Sequence, residues 1–213
     1  MISLPAVDAV VFDLGGVLID WNPRYLYRKM LAGEDEVTWF LETVCTSAWN
    51  RELDEGLPFE EAIPRLISRH PEWSREIEAY YTRWGEMLGG CIGGSVRLLE
   101  ALRERDVPLY ALTNWSAETF GIARKRFHFL GWFEEIVVSG EEGVAKPEEE
   151  IYETLIKRAG IEPRASVFVD DREDNVRVAE KLGFTGILFR EAGELEKELS
   201  RLRLLQTDGR NDD

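Results

Sequence analysis

The pattern of apolar and polar residues divides the chain into two parts that predict different elements. Residues 7–14 are mostly apolar and rich in valine, which predicts a strand buried on both faces of a parallel sheet. From about residue 22 to residue 88, apolar positions recur every three or four residues, which predicts helices only. These predicted helices span 23–31, 34–45, 58–69 and 74–88.

Beyond residue 90 the pattern alternates between short apolar runs and helical spacing. The predicted strands span 108–113, 135–139, 167–170 and 186–189. The predicted helices span 95–105, 117–127, 147–159, 175–182 and 194–204. Alternating strands and helices are joined by right-handed crossovers, which give a parallel sheet with helices on both of its faces.

The predicted fold class is therefore α/β, a Rossmann-like parallel sheet core with an inserted all-helical cap. The core comprises residues 1–18 and 90–206, the cap 19–89, and a flexible tail 207–213. The insert leaves the core where the first strand ends, at the edge of the sheet where α/β proteins bind ligands. We interpret the cap as a lid, which excludes water and selects substrates.

Composition excludes several classes of function. The chain has 26 basic and 41 acidic side chains, and its net charge of −15 repels nucleic-acid backbones. No apolar run is long enough to span a membrane, and no basic stretch precedes the first strand as in a signal peptide. We therefore expect a cytoplasmic protein, in which Cys45 and Cys91 are buried free thiols. His70 and His128 form neither a zinc pattern nor a nucleophile–histidine pair.

Polar residues stand at the ends of the predicted strands, or just before the following helix. They are Asp13, Thr113, Asn114, Lys146, Asp170 and Asp171. Each has an ordinary alternative role, and for Asn114 we favour a helix cap. Because strand ends converge on one crevice in such a sheet, we expect these residues to meet. Three carboxylates in one crevice need a cation, and hard oxygen ligands suit Mg²⁺.

This combination resembles the haloacid dehalogenase-like (HAD) hydrolase superfamily, in its subgroup with a helical cap after the first strand. The matching segments lie at residues 10–18, 112–114, 146–147, 167–171 and 175–176. The resemblance covers nearly the whole chain. It implies a hydrolase of small phosphate monoesters, sugar phosphates among them, that works through an aspartyl-phosphate intermediate.

By this resemblance, Asp13 is the nucleophile that attacks phosphorus. Thr113 and Asn114 hold the phosphate, and Lys146 positions both the nucleophile and the phosphate. Asn175 orients the last of the active-site loops.

The resemblance also implies Mg²⁺ as the cofactor. Asp13, the backbone carbonyl of Gly15 and Asp171 would bind the ion, with Asp170 beside them, directly or through water. Backbone N–H groups at Gly15 and Gly16 would contact the phosphoryl oxygens. The expected partner is a small-molecule phosphate ester, with neither a nucleic acid nor a membrane, and no particular oligomeric state is predicted.

Gly15 departs from the family pattern, in which a second aspartate serves there as general acid and base. Such help is worth roughly 10²–10⁴ in rate. The substrate could have a leaving group that needs little protonation, such as an anomeric or acyl phosphate. Alternatively, Asp20 supplies the proton. For Asp20, however, we favour the role of an N-terminal helix cap together with Asn22. In a third interpretation catalysis is weak and the protein mainly binds phosphate.

Two other classes remain as alternatives. A haloacid dehalogenase would use Asp13 against carbon without a metal, and would need an arginine such as Arg24 or Arg28 for the carboxylate of its substrate. It has no use for Asp170 and Asp171 beside the nucleophile. A signalling receiver domain also combines Asp, Thr, Lys and an acidic pair, but in the reverse order and without a helical insert.

Overall fold

A computed structural model describes residues 7–205, so the predicted tail at 207–213 lies outside the described part of the chain. The strands are β1 (Ala9–Phe12), β2 (Ile19–Trp21), β3 (Leu88–Cys91), β4 (Leu109–Thr113), β5 (Glu135–Val138), β6 (Ser166–Asp170) and β7 (Thr185–Leu188). Five of them form a parallel sheet in the order β5-β4-β1-β6-β7, and β2 pairs antiparallel with β3. The predicted α/β class with a parallel sheet is confirmed.

The helices follow the strands in the alternation that the sequence predicts. They are α1 (Arg24–Tyr27), α2 (Glu34–Thr43), α3 (Ser47–Asp54), α4 (Phe59–Arg69), α5 (Ser74–Thr82), α6 (Gly93–Arg103), α7 (Ala117–Arg126), α8 (Ser139–Glu142), α9 (Glu149–Ala159), α10 (Glu173–Lys181) and α11 (Ala192–Arg201). Helices α1 to α5 lie within the insert, and the other helices belong to the core.

Strand β1 occupies the centre of the sheet because it can bury side chains on both of its faces. Val10 and Phe12 belong to the apolar cluster that contains residues of α6 and α11, whereas Val11 belongs to the cluster of α9 and α10. All four residues of β1 are buried. The backbone N–H of Asp13 donates to Val169 O at 2.8 Å, so the nucleophile candidate stays anchored to β6.

The insert is not all-helical, which corrects the prediction. Strands β2 and β3 form a two-stranded sheet where the chain leaves and re-enters the core. Gly89 permits this close pairing, since a Cβ there would collide with Asp20 and Tyr25. Helix α3 was not predicted, and α5 ends at Thr82 rather than near residue 88, followed by a short 3₁₀ turn.

The two cysteines have different environments. Cys45 is buried, as expected, but Cys91 is exposed, so the expectation of two buried thiols is wrong for Cys91. Cys91 is the last residue of β3, one strand of a two-stranded sheet that lies outside the main sheet. Among residues 7–205, no helix combines the length and apolar character needed to cross a membrane.

Candidate active site

Lys146 lies at the centre of a buried cluster of charges at the carboxyl ends of the strands. Its Nζ is 3.0 Å from Asp13 Oδ1, and it donates to Asp170 Oδ2 at 2.6 Å and to Leu112 O at 2.7 Å. These three acceptors match the three hydrogens of an ammonium group. The structure thus brings together strand ends that are far apart in sequence, as the pattern predicts.

Asp13 is held in one orientation by two contacts on the same oxygen. Oδ1 accepts a hydrogen bond from the backbone N–H of Leu14 at 2.7 Å and faces Lys146. Within residues 7–205 the second oxygen, Oδ2, accepts no hydrogen bond. Asp13 is 7% exposed, so its free oxygen can meet a ligand that enters the crevice.

Three carboxylates converge beside this lysine. Asp13, Asp170 and Asp171 each offer an oxygen, and these oxygens all lie within 4.8 Å of one another, close enough for one cation to bind all three. Gly16 has a φ of +75°, and a Cβ at this position would collide with the carboxylate of Asp171. A glycine at position 16 therefore leaves room for Asp171 in the cluster.

Burial and the repulsion between neighbouring carboxylates raise the pKa values of Asp13 and Asp171. Burial raises the pKa of Asp13 well above its usual range, and Lys146 offsets part of this rise, whereas Asp170 and Asp171 add to it. Burial and the neighbouring Asp170 also raise the pKa of Asp171. For Lys146, burial lowers the pKa, but Asp13 and Asp170 raise it by more, so the ammonium stays charged. A divalent cation would relieve the repulsion between these carboxylates.

Asp170 is fully buried and belongs to a network that orders the last active-site loop. Its oxygens accept hydrogen bonds from Lys146 Nζ, from the backbone N–H of Arg172 at 2.9 Å, and from Asn175 Nδ2 at 2.9 and 3.1 Å. Because these donors occupy both oxygens, Asp170 is well suited to holding Lys146 and Asn175. Asn175 thereby ties α10 to the end of β6, and its expected role in orienting this loop stays a prediction.

Asn114 and Thr113 end β4 in different ways. The expectation that Asn114 caps α7 is wrong, because its amide binds the backbone of Lys146 instead. Its oxygen accepts a hydrogen bond from the Lys146 N–H at 2.8 Å, and its nitrogen donates to the Lys146 C=O at 2.9 Å. The loop that carries Lys146 is thereby tied to β4. Thr113 is 1% exposed, and its Oγ1 has no hydrogen-bond partner among residues 7–205. A buried hydroxyl without a partner is unusual and is able to bind a ligand oxygen.

A cavity of about 650 Å³ opens between this cluster and the insert, and a smaller one of about 80 Å³ adjoins it. The larger cavity reaches Asp13, Lys146 and Asp171, and α3 of the insert forms part of its wall. Residues that line both cavities are Gly15, Trp21, Asn50, Asp54 and Asn114. Asn50 and Asp54 are not among the residues that the sequence predicts for the site, because nothing in a charged helix shows which side chains face a crevice.

Three further candidates from the sequence, Asp20, Arg24 and Arg28, do not line either cavity. The carboxylate of Asp20 accepts a hydrogen bond from Tyr25 OH at 2.7 Å rather than from the start of α1. Of the two expected cap residues, Asn22 alone contacts this helix, because its side chain accepts a hydrogen bond from the backbone N–H of Arg24. Arg24 and Arg28 both pair with Glu34 at the surface. Neither arginine is among the residues that line the two cavities, within the described part of the chain.

Comparison with known proteins identifies the class that this fold and site define. The sequence model of the family of haloacid dehalogenase-like hydrolases matches residues 7–183. The chain therefore belongs to this family. A sesquiterpene phosphatase of Aspergillus oryzae is 29% identical over 183 residues, covering 84% of this chain and 88% of that protein. A D-ribitol-5-phosphate phosphatase of Bacteroides thetaiotaomicron is 22% identical, covering 91% of this chain and 97% of that protein.

Solved structures agree with this family assignment. The crystal structure of a HAD family enzyme from Bacteroides thetaiotaomicron, in a magnesium complex, superposes with a TM-score of 0.71 at 25% identity. The match covers 92% of this chain and 99% of the crystallised one. The family and the Rossmann-like core expected from the sequence are therefore confirmed.

Proposed function

We propose that the protein is a Mg²⁺-dependent phosphatase that hydrolyses small phosphate monoesters through an aspartyl-phosphate intermediate. The observation that carries this proposal is the buried cluster of Asp13, Lys146, Asp170 and Asp171 at the carboxyl ends of adjacent parallel strands. The relatives named as phosphatases support the same reaction class.

In this proposal Asp13 is the nucleophile. Its free oxygen forms a bond to phosphorus while the bond from phosphorus to the ester oxygen breaks, which leaves a phosphorylated aspartate. Water then attacks phosphorus, the bond to Asp13 breaks, and inorganic phosphate is released. Lys146 favours the ionised form of Asp13 and orients it, and the unpartnered hydroxyl of Thr113 binds a phosphoryl oxygen. Backbone N–H groups at Gly15 and Gly16 bind the remaining phosphoryl oxygens.

The residues present fit a magnesium ion. Asp13, Asp171 and the backbone carbonyl of Gly15 would hold it, with Asp170 supporting the cluster through Lys146. When bound, the ion would neutralise the carboxylates and the charge on the phosphoryl oxygens. The raised pKa values of Asp13 and Asp171 support a site that needs a cation to be fully ionised.

The cavity walls suggest which alcohol the ester contains. Beside the charged cluster, one part of the wall of the smaller cavity is apolar and the other part is polar. The apolar part is formed by Trp21, Leu53, Phe59, Trp84 and Trp115, and the rest by Gly15, Asn50, Asp54, Asn114, Ser116 and Thr119. The apolar part favours a leaving alcohol with an apolar body over a fully hydroxylated sugar. The name of the sesquiterpene phosphatase supports this preference, whereas that of the ribitol-phosphate enzyme supports a polar alcohol.

The test is hydrolysis of a panel of alkyl, isoprenoid and sugar monophosphates by the purified protein. We expect phosphate release with Mg²⁺, loss of release with EDTA, and recovery on adding Mg²⁺ back. Asp13→Asn should lower turnover by roughly 10⁴-fold or more, because it removes the nucleophile. Rapid quenching should trap an acid-labile phosphoprotein in the wild type and none in Asp13→Asn. Phosphate release that EDTA leaves unchanged would contradict the proposal.

An assay with 2-haloacids as substrates discriminates against a haloacid dehalogenase. Such an enzyme would release halide from 2-haloacids in EDTA. Arg24 and Arg28, the arginines expected to bind the carboxylate of such a substrate, pair with Glu34 at the surface and do not line the cavity. We expect no halide release.

A further inference from the structure

Hydrolysis of an alkyl phosphate requires a proton donor near the ester oxygen, because an alkoxide is a poor leaving group. Gly15 offers no side chain, and a Cβ added there would meet no atom within 4 Å. The space next to the nucleophile is therefore open toward the cavity. A proton donor has to come from another residue that lines this cavity.

Most titratable groups in the cavity wall are unsuitable as donors. Burial raises the pKa of the Cys45 thiol to about 12, and that of Tyr80 well above its usual range. The Nζ hydrogens of Lys146 already face three acceptors, while Asp13 and Asp171 belong to the carboxylate cluster. Among the described carboxylates that line the cavity, this leaves Asp54, at the end of α3.

Asp54 is held in place by contacts from both the insert and the core. Asn50, one turn earlier in α3, donates from Nδ2 to Asp54 Oδ2 at 2.8 Å. The amide of Asn50 is itself oriented, because its oxygen accepts a hydrogen bond from Tyr80 OH. The backbone N–H of Ser116, just after β4, lies near the Asp54 carboxylate and lowers its pKa. These contacts fix the carboxyl group and leave lone pairs of its oxygens for the cavity.

The surroundings of Asp54 favour its protonated form. Burial raises its pKa to about 7, and the charges of Asp13 and Glu55 add to this rise. The nearby backbone N–H of Ser116 and the hydrogen bond from Asn50 oppose it. Three cationic groups, Arg51, Lys146 and Arg172, also line the cavity, but Arg51 pairs with Glu55 and Arg172 with Asp174. A carboxyl group with such a pKa can both give and take a proton at neutral pH.

We propose that Asp54 is the general acid and base of this enzyme, supplied by the insert in place of a side chain at position 15. The inference rests on the proposed function. While Asp13 forms its bond to phosphorus, the ester bond breaks and the departing alkoxide takes the proton of the Asp54 carboxyl group. When water attacks the aspartyl-phosphate, its proton passes to the Asp54 carboxylate, which restores the starting state.

The experiment compares wild type and Asp54→Asn on phosphate esters whose leaving alcohols differ in pKa, with Mg²⁺ present. In Asp54→Asn, kcat/KM for alkyl phosphates should fall by roughly 10²–10⁴-fold. For 2,4-dinitrophenyl phosphate, whose leaving group needs no proton, it should fall by less than about tenfold. Activity retained on this ester also shows that the variant is folded.

A matched control separates this role from a general effect of removing a negative charge. Glu52→Gln removes an exposed carboxylate of the same helix that lines neither cavity, and should leave the dependence on leaving-group pKa unchanged. The proposal is overturned if folded Asp54→Asn loses activity equally on both kinds of ester. It is also overturned if Asp20→Asn, rather than Asp54→Asn, steepens the dependence on leaving-group pKa.

The wild-type panel provides a test that does not depend on any variant. With a proton donor in place, the dependence of kcat/KM on leaving-group pKa should be shallow, and a steep dependence would overturn the assignment of Asp54. Failure of the proposed function gives a different result, because the wild type would then hydrolyse none of the esters.

Discussion

Lys146 shows how one buried side chain organises the site. A lysine is rarely fully buried unless it is paired, and here two carboxylates and a carbonyl surround its ammonium group. Asn114 fixes the backbone of the same residue through two further hydrogen bonds. Contacts to its ammonium group and to its backbone thus fix the position of Lys146, and Lys146 in turn orients Asp13.

The two glycines that follow the nucleophile lead to a prediction about metal binding. Gly16→Ala should weaken Mg²⁺ binding by about 10–100-fold, because its methyl group would displace the carboxylate of Asp171 and its φ of +75° is strained for alanine. Gly15→Ala places the same methyl group in open space and should weaken binding much less. Isothermal titration with Mg²⁺ measures both affinities. Equal affinities would show that the position of Asp171 does not depend on Gly16.

Among the elements, α4 of the insert is joined to the core at its first residue. The backbone N–H of Phe59 donates to Glu118 Oε1 of α7 at 2.8 Å, which places a negative charge at the N-terminus of α4. Such a contact satisfies a free N–H group and interacts favourably with the helix dipole. It also holds the wall that carries Phe59 against the core.

We expect Glu118→Ala to lower the free energy of unfolding by about 1 kcal/mol, the typical value of a helix N-cap contact. Glu118→Gln retains an acceptor oxygen and should lower it by less. Urea denaturation followed by tryptophan fluorescence compares the two variants with the wild type. If both variants were as stable as the wild type, this contact would not contribute to docking of the insert.

The elements of the core could be predicted from the sequence because each strand is a short and mostly apolar run, and β1, β4 and β6 end in a polar residue or are followed by one. The same feature predicted Asp13, Thr113 and Asp170 at the site. Helix α3 was missed because its apolar residues are few and Gly56 and Pro58 follow it closely. Asp54 could not be predicted for a physical reason: its role depends on the packing of the insert over Gly15, which no local pattern encodes.

For the molecule as a whole, the active site opposes folding when no cation is bound. Asp13, Asp54 and Asp171 have pKa values raised above those of the unfolded chain. Carboxyl groups of this kind favour folding most below about pH 4, and this contribution is lost as the pH rises through their folded pKa values, near 7 for Asp54. Metal-free protein should therefore lose stability between about pH 4 and pH 8.

Bound Mg²⁺ should reverse much of this loss, because it stabilises the ionised carboxylates of the folded state alone. At a concentration 100 times its Kd, a ligand adds about 2.7 kcal/mol, equivalent to roughly 5–10 °C in Tm for a chain of this size. We expect a rise of this order at pH 8 and a clearly smaller rise at pH 5, where protons compete for the same oxygens. Thermal unfolding in EDTA and in Mg²⁺ at the two pH values measures this difference. Asp171→Asn should reduce the Mg²⁺-dependent rise in Tm and increase the stability of the metal-free protein at pH 8. For the wild type, equal rises in Tm at both pH values would show that the metal binds away from these carboxylates.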